Sequence, residues 1–383
     1  MKIRMALALS VSFLVVVYAF SYELYEHDVA SPGKAVGFTV ANLTGDLGNT
    51  FSKGSIQAFG QNSTTILVSG TEYYYKPTDF SFPALIALDS LTSVAPGKNL
   101  TPVADQYFHE GSVFGTAWNG SSWILTGEAA WGNVDEGAAV QVHGSSYTNL
   151  TPTLGKYFQD GGIWFDAWNG TGWIFGGNND HAASLVALYN GSVINYTGLL
   201  GPTLQNSWIQ LIEWNGTSWL VGGHGIFGFI THGRYSDMLG KSEFKSSGVY
   251  SALFSGGEWV VGGGPPAGLE VVKGSQVISN ISLPSYFNRW VNAVAPFDGG
   301  FIAGGEASGN QGEMMPALYY FVEGSSWDFV NLTVLLPGSF NGGQVQFLSN
   351  AHMGNITGIL IAGQGNYNEK TGSSSGALAL LDS

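Results

Sequence analysis

The sequence predicts an all-β protein, a seven-bladed β-propeller whose blades are four-stranded antiparallel sheets. Three observations lead to this fold class. A Trp-Asn-Gly hairpin recurs along the chain, and a phenylalanine marker recurs with the same period of about fifty residues. The 383 residues also include 56 glycines and 44% hydrophobic residues, the composition of many apolar strands joined by tight turns.

The hairpin is clearest in residues 117–127, 167–177 and 213–223, where a strand ends in Trp, Asn-Gly reverses the chain and an apolar strand closes in Gly. Asn-Gly readily adopts the positive φ angles that a two-residue hairpin turn requires. Weaker copies end at Gly70, Gly263, Gly305 and Gly363, which brings the number of copies to seven. Each unit is interpreted as four strands, A to D, with the hairpin joining A to B.

The second marker stands where strand D of one unit leads into strand A of the next. Its members are Phe51, Phe108, Phe158, Phe287 and Phe340. Two independent markers with one period indicate a true structural repeat.

The two ends of the chain complement each other. The last copy supplies only three strands, at 345–348, 359–362 and 377–381, and residues 37–44 resemble the D-strand sequence at 147–151. An N-terminal strand is therefore predicted to close the last blade, which would otherwise leave an open sheet edge. The propeller is predicted to span residues 35–383.

The N-terminus has the pattern of a secretory signal. Lys2 and Arg4 precede an apolar run from Met5 to Phe20, and a cut after Ala19 would remove residues 1–19, leaving 20–34 as a linker. The protein is expected to be secreted or to lie on the extracellular cell surface, either free or tethered by the uncleaved segment. The chain has no second long apolar stretch, and its sequence therefore gives no sign of a transmembrane partner.

Charge and cysteine content exclude several classes of function. The net charge is −14, which disfavours nucleic acid and anionic membranes as partners, and only 10% of residues are charged. The chain has no cysteine, so disulfides, thiol catalysis and cysteine–metal sites are excluded.

Asn-x-Ser/Thr glycosylation sequons are dense, which together with the signal sequence favours a glycoprotein. The repeat places five of them in A–B turns, one in a C–D turn and six on or beside the outer D strands. Glycans would then cover one face and the rim, and leave free the opposite face, formed by the B–C and D–A loops (the B–C/D–A face). In chain order the sequons begin at Asn42, Asn62, Asn99, Asn119, Asn149, Asn169, Asn190, Asn195, Asn215, Asn280, Asn331 and Asn355.

Two units combine a closing Gly-Gly with a Tyr and, seven residues later, an aromatic residue: Gly304-Gly305 with Tyr320 and Trp327, and Gly176-Gly177 with Tyr189 and Tyr196. This arrangement resembles the kelch repeat, and the whole resembles the central propeller domain of galactose oxidase. The resemblance implies a propeller that serves mostly as a binding scaffold. Galactose oxidase carries a thioether cofactor that requires a cysteine, so its chemistry does not transfer to this chain and no cofactor is expected.

Candidate ligand-binding residues lie in the loops of the B–C/D–A face. Exposed aromatic rings beside carboxylates and amides suit a protein or a glycan partner at the cell surface. The candidates are Tyr74, His109, Trp131, Asp135, Asp180, His181, His224, Arg289 and Tyr367.

Catalytic and metal-binding signals are weak. Glu110 and Asp160 occupy equivalent positions in adjacent units, as the two carboxylates of a glycosidase do, although such positions are more often solvated. Asp180 and His181 lack the spacing of a ligand set, so no metal site is expected.

Three classes of function remain open. A non-catalytic module that binds a protein or glycan through the B–C/D–A face is favoured, because the repeat contains no singular catalytic motif. The alternatives are a secreted carbohydrate-active enzyme, either a glycan hydrolase or a lyase, and a structural subunit of an envelope or filament.

Overall fold

The computed structural model describes residues 38–75, 80–91, 97–131, 134–201, 204–309, 312–324, 326–353, 356–368, 370–371 and 373–382. The predicted signal peptide (1–19), the linker (20–34) and the sequon at Asn355 lie outside the described residues. The predicted all-β class is confirmed, because 28 strands account for most of the described chain. Within these ranges no helix has the length and apolar character needed to cross a membrane.

The strands form seven successive four-stranded antiparallel meanders. The first strand of the chain, β1 (Thr39–Asn42), belongs to the last of them. The first three meanders contain β2 (Ser55–Gln61), β3 (Ile66–Tyr75), β4 (Phe80–Leu88) and β5 (Lys98–Asn99); β6 (Ser112–Trp118), β7 (Trp123–Trp131), β8 (Val134–His143) and β9 (Ser146–Asn149); and β10 (Ile163–Trp168), β11 (Trp173–Asn179), β12 (Ala182–Tyr189) and β13 (Ser192–Asn195).

The fourth and fifth meanders are joined into one eight-stranded sheet by a single pair, His224 with Gly248. The remaining strands are β14 (Trp208–Trp214), β15 (Trp219–His224), β16 (Ile226–Thr231) and β17 (Arg234–Asp237); β18 (Gly248–Ser255), β19 (Glu258–Gly264), β20 (Gly268–Lys273) and β21 (Gln276–Ile281); β22 (Trp290–Phe297), β23 (Gly300–Ser308), β24 (Met314–Glu323) and β25 (Trp327–Asn331); and β26 (Gln344–Met353), β27 (Ile356–Gly365) and β28 (Ser375–Asp382).

The N-terminal strand closes the last meander, as the sequence predicts. β1 pairs antiparallel with β28, with Val40 opposite Leu381. The backbone contact continues beyond the strand, where Leu43 N donates a hydrogen bond to Leu378 O at 2.9 Å, and Leu43 is only 2% exposed. The C-terminal strand is therefore covered along its outer edge.

The meanders are arranged in a closed ring. The first strand of each meander is named its inner strand, and successive inner strands contact one another around the molecule. The ring closes between the first and last meanders, where β2 contacts β26 and His352 N donates a hydrogen bond to Gln61 Oε1. The molecule is a β-propeller.

The hydrophobic core is divided into seven clusters, each of which lies between two successive meanders. These clusters explain why the phenylalanine marker recurs, because each of its members precedes an inner strand and packs in one of the clusters. A sixth member, Phe244, plays the same part in the fifth meander and has no counterpart in the sequence marker. All six are at most 2% exposed: Phe51, Phe108, Phe158, Phe244, Phe287 and Phe340.

The closing glycines are required by close packing against an inner strand. A Cβ on Gly177 would lie 1.9 Å from the backbone oxygen of Gly162, and a Cβ on Gly176 would lie 2.5 Å from a methyl group of Ile209 in the next meander. The same clash with inner-strand backbone recurs at the equivalent glycine of every meander: Gly70, Gly127, Gly223, Gly263, Gly305 and Gly363. The recurring Gly is therefore a steric necessity of the repeat.

A polar motif ends five of the outer strands. In the copy at Asn149, the side-chain Oδ1 accepts a hydrogen bond from Thr151 N at 2.9 Å, and Thr151 Oγ1 accepts one from Ala139 N at 3.1 Å. The motif starts the short helices α1 (Thr101–Ala104) and α2 (Thr151–Leu154) or a 3-10 turn. The 3-10 turns span Thr44–Leu47, Gly155–Tyr157, Thr197–Leu200, Leu239–Lys241, Glu243–Ser246, Thr333–Leu335 and Gly338–Phe340.

Candidate functional site

Every inner strand contains a β-bulge at the same position, where one residue is left without a partner in the ladder. In the third meander the pairing passes from Ile163 with Gly177 to Phe165 with Gly176, so that Trp164 is the bulged residue. A bulge redirects the side chain that it releases. The seven bulged residues are Gln57, Phe114, Trp164, Gln210, Tyr250, Asn292 and Gln346.

All seven bulged side chains line one cavity of about 310 Å³ on the axis of the ring. They are four amides and three aromatic residues; Asn292, Gln346 and Gln57 follow one another around the ring, and Gln210 stands between Trp164 and Tyr250. The β-branched residue that precedes each bulge is fully buried and holds the strand against the core, as at Val113 and Ile163. The repeat thus directs seven side chains, which differ from one meander to the next, into one cavity.

The channel opens on the B–C/D–A face through an aromatic mouth. Trp164, Trp208, Tyr250 and Trp290 surround this opening of about 360 Å³, together with Gln210, Asn292, Glu306 and Gln344 (these eight residues are the channel mouth). The rings touch edge to face, with centroids 6.1 Å apart for Trp164 and Trp208 and 5.3 Å apart for Tyr250 and Trp290. Edge-to-face packing fixes the rings and leaves part of each surface open.

Polar side chains of the channel mouth are held by neighbours. Asn292 Nδ2 donates to Gln344 Oε1 at 2.8 Å, and Trp208 Nε1 donates to Gln210 Oε1 at 2.9 Å. Glu306 is 3% exposed and forms an ion pair with Arg289. Burial raises the pKa of Glu306, and Arg289 opposes part of that rise.

Two carboxyl groups line the channel below the ring of the seven bulged residues (the bulge ring), in a cavity of about 230 Å³. Asp166 is 7% exposed, and Thr126 Oγ1 donates to its Oδ1 at 2.8 Å. Burial raises the pKa of Asp166 to about 7, although the Thr126 hydrogen bond lowers it in part. The side chain of Glu213 is open to the channel, where the enclosing protein removes much of the solvation that bulk water provides and raises its pKa to about 7.

Four buried polar atoms that line these cavities have no hydrogen-bond partner: Trp164 Nε1, Asp166 Oδ2, Ser251 Oγ and Gln346 Oε1. A buried polar atom without a partner costs about 1–3 kcal/mol. The residues that line the channel therefore contain one donor, two acceptors and a hydroxyl that are buried and not used within the protein. This concentration of unused hydrogen-bonding capacity marks the channel as the candidate functional site.

The structure brings two of the predicted residues to this site. His224 stacks on Trp208, with centroids 4.5 Å apart and an interplanar angle of 17°, and Arg289 pairs with Glu306. His109 lies in a D–A loop beside Asp105 and Glu110. Asp135 is exposed near the start of β8, and Tyr367 N donates to Gly342 O in a loop. The side chains of Tyr74 and Trp131 lie outside the described residues.

Backbone conformation explains two pairs of candidate residues. Asp180 and His181 have φ angles of 45° and 60°, the signature of a two-residue B–C hairpin turn. Glu110 and Asp160 have φ angles of 50° and 48° in equivalent D–A turns, so the two residues share a backbone conformation as well as a position in the repeat. In the described parts of the chain, no group of three or more His, Asp or Glu residues is placed to hold a metal ion.

The bulge ring, Trp208, Trp290 and the two channel carboxyls are not among the candidate residues predicted from the sequence. A signal was present, because each inner strand has Val or Ile directly before the bulged residue and the closing Gly lies opposite. Nothing in one sequence indicates that the intervening residue leaves the ladder. Asp166 and Glu213 differ from their counterparts in the repeat, but only the structure shows that both side chains line one cavity.

The sequons that the structure describes lie where the repeat predicts, although their occupancy stays a prediction. Asn62, Asn119, Asn169 and Asn215 stand in A–B turns, where each side-chain oxygen accepts two backbone hydrogen bonds, and Asn190 stands in a C–D turn with a φ of 50°. The other described sequons are on outer strands: Asn42, Asn99, Asn149, Asn195, Asn280 and Asn331.

The fold is similar to solved propeller structures. YCF48 bound to the D1 peptide matches with a TM-score of 0.56 and 10% identity over 93% of this chain and 98% of that one. Sqt1 of Chaetomium thermophilum, bound to the N-terminus of ribosomal protein L10, matches with a TM-score of 0.48 and 12% identity over 86% and 99%. No protein-family model matches the chain, and no curated protein matches its sequence. At these identities the likeness shows the β-propeller fold alone.

Proposed function

We propose that the protein is a non-catalytic binding module that holds an extended peptide segment of a protein partner at the channel mouth. The observation that carries this proposal is the arrangement of Trp164, Trp208, Tyr250 and Trp290 around one opening beside amide side chains. Aromatic rings provide large, rigid contact areas, and amides pair with peptide groups in both directions. Such a combination is typical of recognition sites.

The position of the channel mouth supports this function. It lies on the B–C/D–A face, and none of the sequons that the structure describes stands in a loop of that face. Glycans on the A–B turns and outer strands would therefore leave the channel mouth accessible. YCF48, a propeller with the same fold, was solved with a peptide bound, which supports a peptide as the ligand class.

We also propose that the seven meanders are seven blades of a kelch-like propeller. In the blade that resembles a kelch repeat most, Tyr320 Oη donates to Asp298 O at 2.7 Å and the ring of Trp327 packs on Phe301. The N-terminal sequence and the sequons support a secreted or cell-surface glycoprotein.

A peptide library selected on the immobilised protein tests the function. Trp208 and Trp214 are the two ends of β14, one at the channel mouth and the other packed against Trp219 beside an A–B turn. Trp208→Ala should weaken binding of the selected peptides by at least about tenfold, the effect of losing one aromatic anchor. Trp214→Ala is the matched control and should leave their affinity unchanged. If Trp214→Ala weakens peptide binding and Trp208→Ala does not, the binding site lies on the other face.

A second function, glycan cleavage, is favoured by one observation. Asp166 and Glu213 line one cavity, and both have pKa values raised to about 7, as a general acid requires. Release of reducing sugar from glycans, abolished by Glu213→Gln, would support the enzyme. Unchanged release in both Glu213→Gln and Asp166→Asn would remove it.

A further inference from the structure

We propose that the group which anchors the bound peptide is a cationic side chain, lysine or arginine, that enters the channel through the aromatic mouth and places its charge beside Asp166. This inference rests on the proposed function and adds the chemistry of the ligand. Three features of the channel lead to it.

The first feature is the sign of charge along the channel. Among the described residues that line the mouth and the channel, the ionisable side chains are Asp166, Glu213, Glu306 and Tyr250, and neither lysine nor arginine is present. Glu306 is already paired with Arg289 at the rim. Asp166 and Glu213 have no such cation, so the interior favours a positive ligand.

The second feature is the environment of Asp166. Its position in the repeat is taken elsewhere by Phe59, Thr116, Ile212, Ala252, Val294 and Leu348, none of which carries a carboxyl. Oδ1 accepts the Thr126 hydrogen bond, whereas Oδ2 is buried in the cavity wall without a partner. A buried carboxylate is unfavourable unless it is paired, and the raised pKa of Asp166 reflects this deficit. The ammonium or guanidinium group of a ligand would supply the charge partner that Asp166 lacks.

Gly115 makes room for this carboxyl. Gly115 belongs to β6, the neighbouring inner strand, and a Cβ at this position would lie 2.2 Å from Asp166 Oδ1. Any residue other than glycine at position 115 would therefore exclude the observed conformation of the Asp166 side chain. The site therefore depends on two departures from the repeat, in adjacent meanders.

The third feature is the path to Asp166. Trp164 stands two residues before Asp166 on β10, a rise of about 7 Å along the strand, which suits the four-carbon stem of a lysine. Phe114 and Tyr250 stand at the same level as Trp164 in the bulge ring. Their rings can pack on the apolar stem and attract the cationic head.

The test uses capped Gly-X-Gly tripeptides, with X as lysine, arginine, acetyl-lysine or glutamine, and isothermal titration calorimetry with the full protein. The lysine and arginine peptides should bind at least about tenfold more tightly than the acetyl-lysine peptide, as a desolvated cation–π contact with a charge partner requires. Asp166→Asn and Glu213→Gln should each reduce that preference. Asp328→Asn, an exposed acid on the outer strand β25, is the control and should preserve it.

Equal affinity for lysine and acetyl-lysine peptides overturns the inference, as does failure of the lysine and arginine peptides to bind. Because acetylation changes only the peptide, this comparison stands even if Asp166→Asn does not fold. The proposed function fails separately. If library peptides bind in a Trp208-dependent way without any preference for a cation, the peptide site remains and only its anchoring group is wrong.

Discussion

Thr126 on β7 donates a hydrogen bond of 2.8 Å to Asp166 on β10, across the boundary between the second and third meanders. The equivalent pair one meander earlier, Ser69 and Thr116, is joined at 2.7 Å by two hydroxyl groups. Two neighbouring boundaries between sheets therefore share a polar contact at this position, and a carboxyl replaces the hydroxyl at one of them. This replacement makes the stability of the propeller depend on pH.

Asp166→Asn should flatten the dependence of stability on pH. The folded-state pKa of Asp166 is raised from 3.8 to about 7, so the folded protein binds a proton that unfolding releases, and the contribution of Asp166 to stability is largest in acid. That stability is fully present below the unfolded pKa near 4 and is lost as pH rises through about 7, by roughly 4 kcal/mol in total. Asparagine keeps the acceptor for Thr126 and cannot ionise. Urea unfolding between pH 4 and pH 8 measures the effect.

The wild-type free energy of unfolding should fall over this pH interval, and that of Asp166→Asn should fall much less. Glu213 contributes in the same direction, since its pKa is also raised to about 7. A wild-type protein that becomes more stable from pH 5 to pH 8 would contradict the assigned environment of both groups.

Gly177→Ala should destabilise the propeller by about 2–3 kcal/mol, because its Cβ would lie 1.9 Å from the backbone oxygen of Gly162 and the inner strand would have to move. Gly198→Ala is the control. Gly198 lies in the 3-10 turn Thr197–Leu200, and no atom lies within 4 Å of the place that an alanine methyl group would take, so the stability change should stay within about 0.5 kcal/mol. Chemical denaturation compares them, and equal losses would refute the steric role of the closing glycine.

A chain that begins at residue 45 should be less stable and should aggregate, whereas a chain that begins at residue 36 should behave as the full protein does. The shorter chain loses β1 and the buried Leu43, which exposes the edge of β28 and part of two clusters. Light scattering and thermal unfolding distinguish the two. A stable, monomeric chain from residue 45 would show that closure by β1 is dispensable.

The Asn-x-Thr motif makes two separable predictions at Asn149. Asn149→Asp removes the sequon but keeps an acceptor for Thr151 N, so stability should change by less than about 0.5 kcal/mol. Thr151→Val removes both the sequon and the hydrogen bond from Ala139 N, and should cost about 1–3 kcal/mol. Unfolding of unglycosylated protein measures both, and glycopeptide mapping reports occupancy. A large loss with Asn149→Asp would assign the main structural role to the amide group itself.

Much of the fold could be predicted because the same local sequence signals recur in most copies of the repeat. Asn-Gly marks the A–B turn, the buried phenylalanine marks the entry to an inner strand, and residues 37–44 match the D strands closely enough to predict that β1 closes the last meander. The site could not be predicted in the same way. Trp164 and Tyr250 look like ordinary strand residues, and only the bulge turns them toward the axis.

The sequence by itself determined the repeat, the turns and the closure, since these depend on local backbone preference and on apolar residues recurring with the strand period. Tertiary structure decided which residues meet. Trp208, Tyr250 and Trp290 are far apart along the chain and share one opening because the ring brings seven inner strands together. Asp166 became significant for the same reason, because its raised pKa and its unpartnered oxygen come from burial against Gly115 and Thr126 of a different meander.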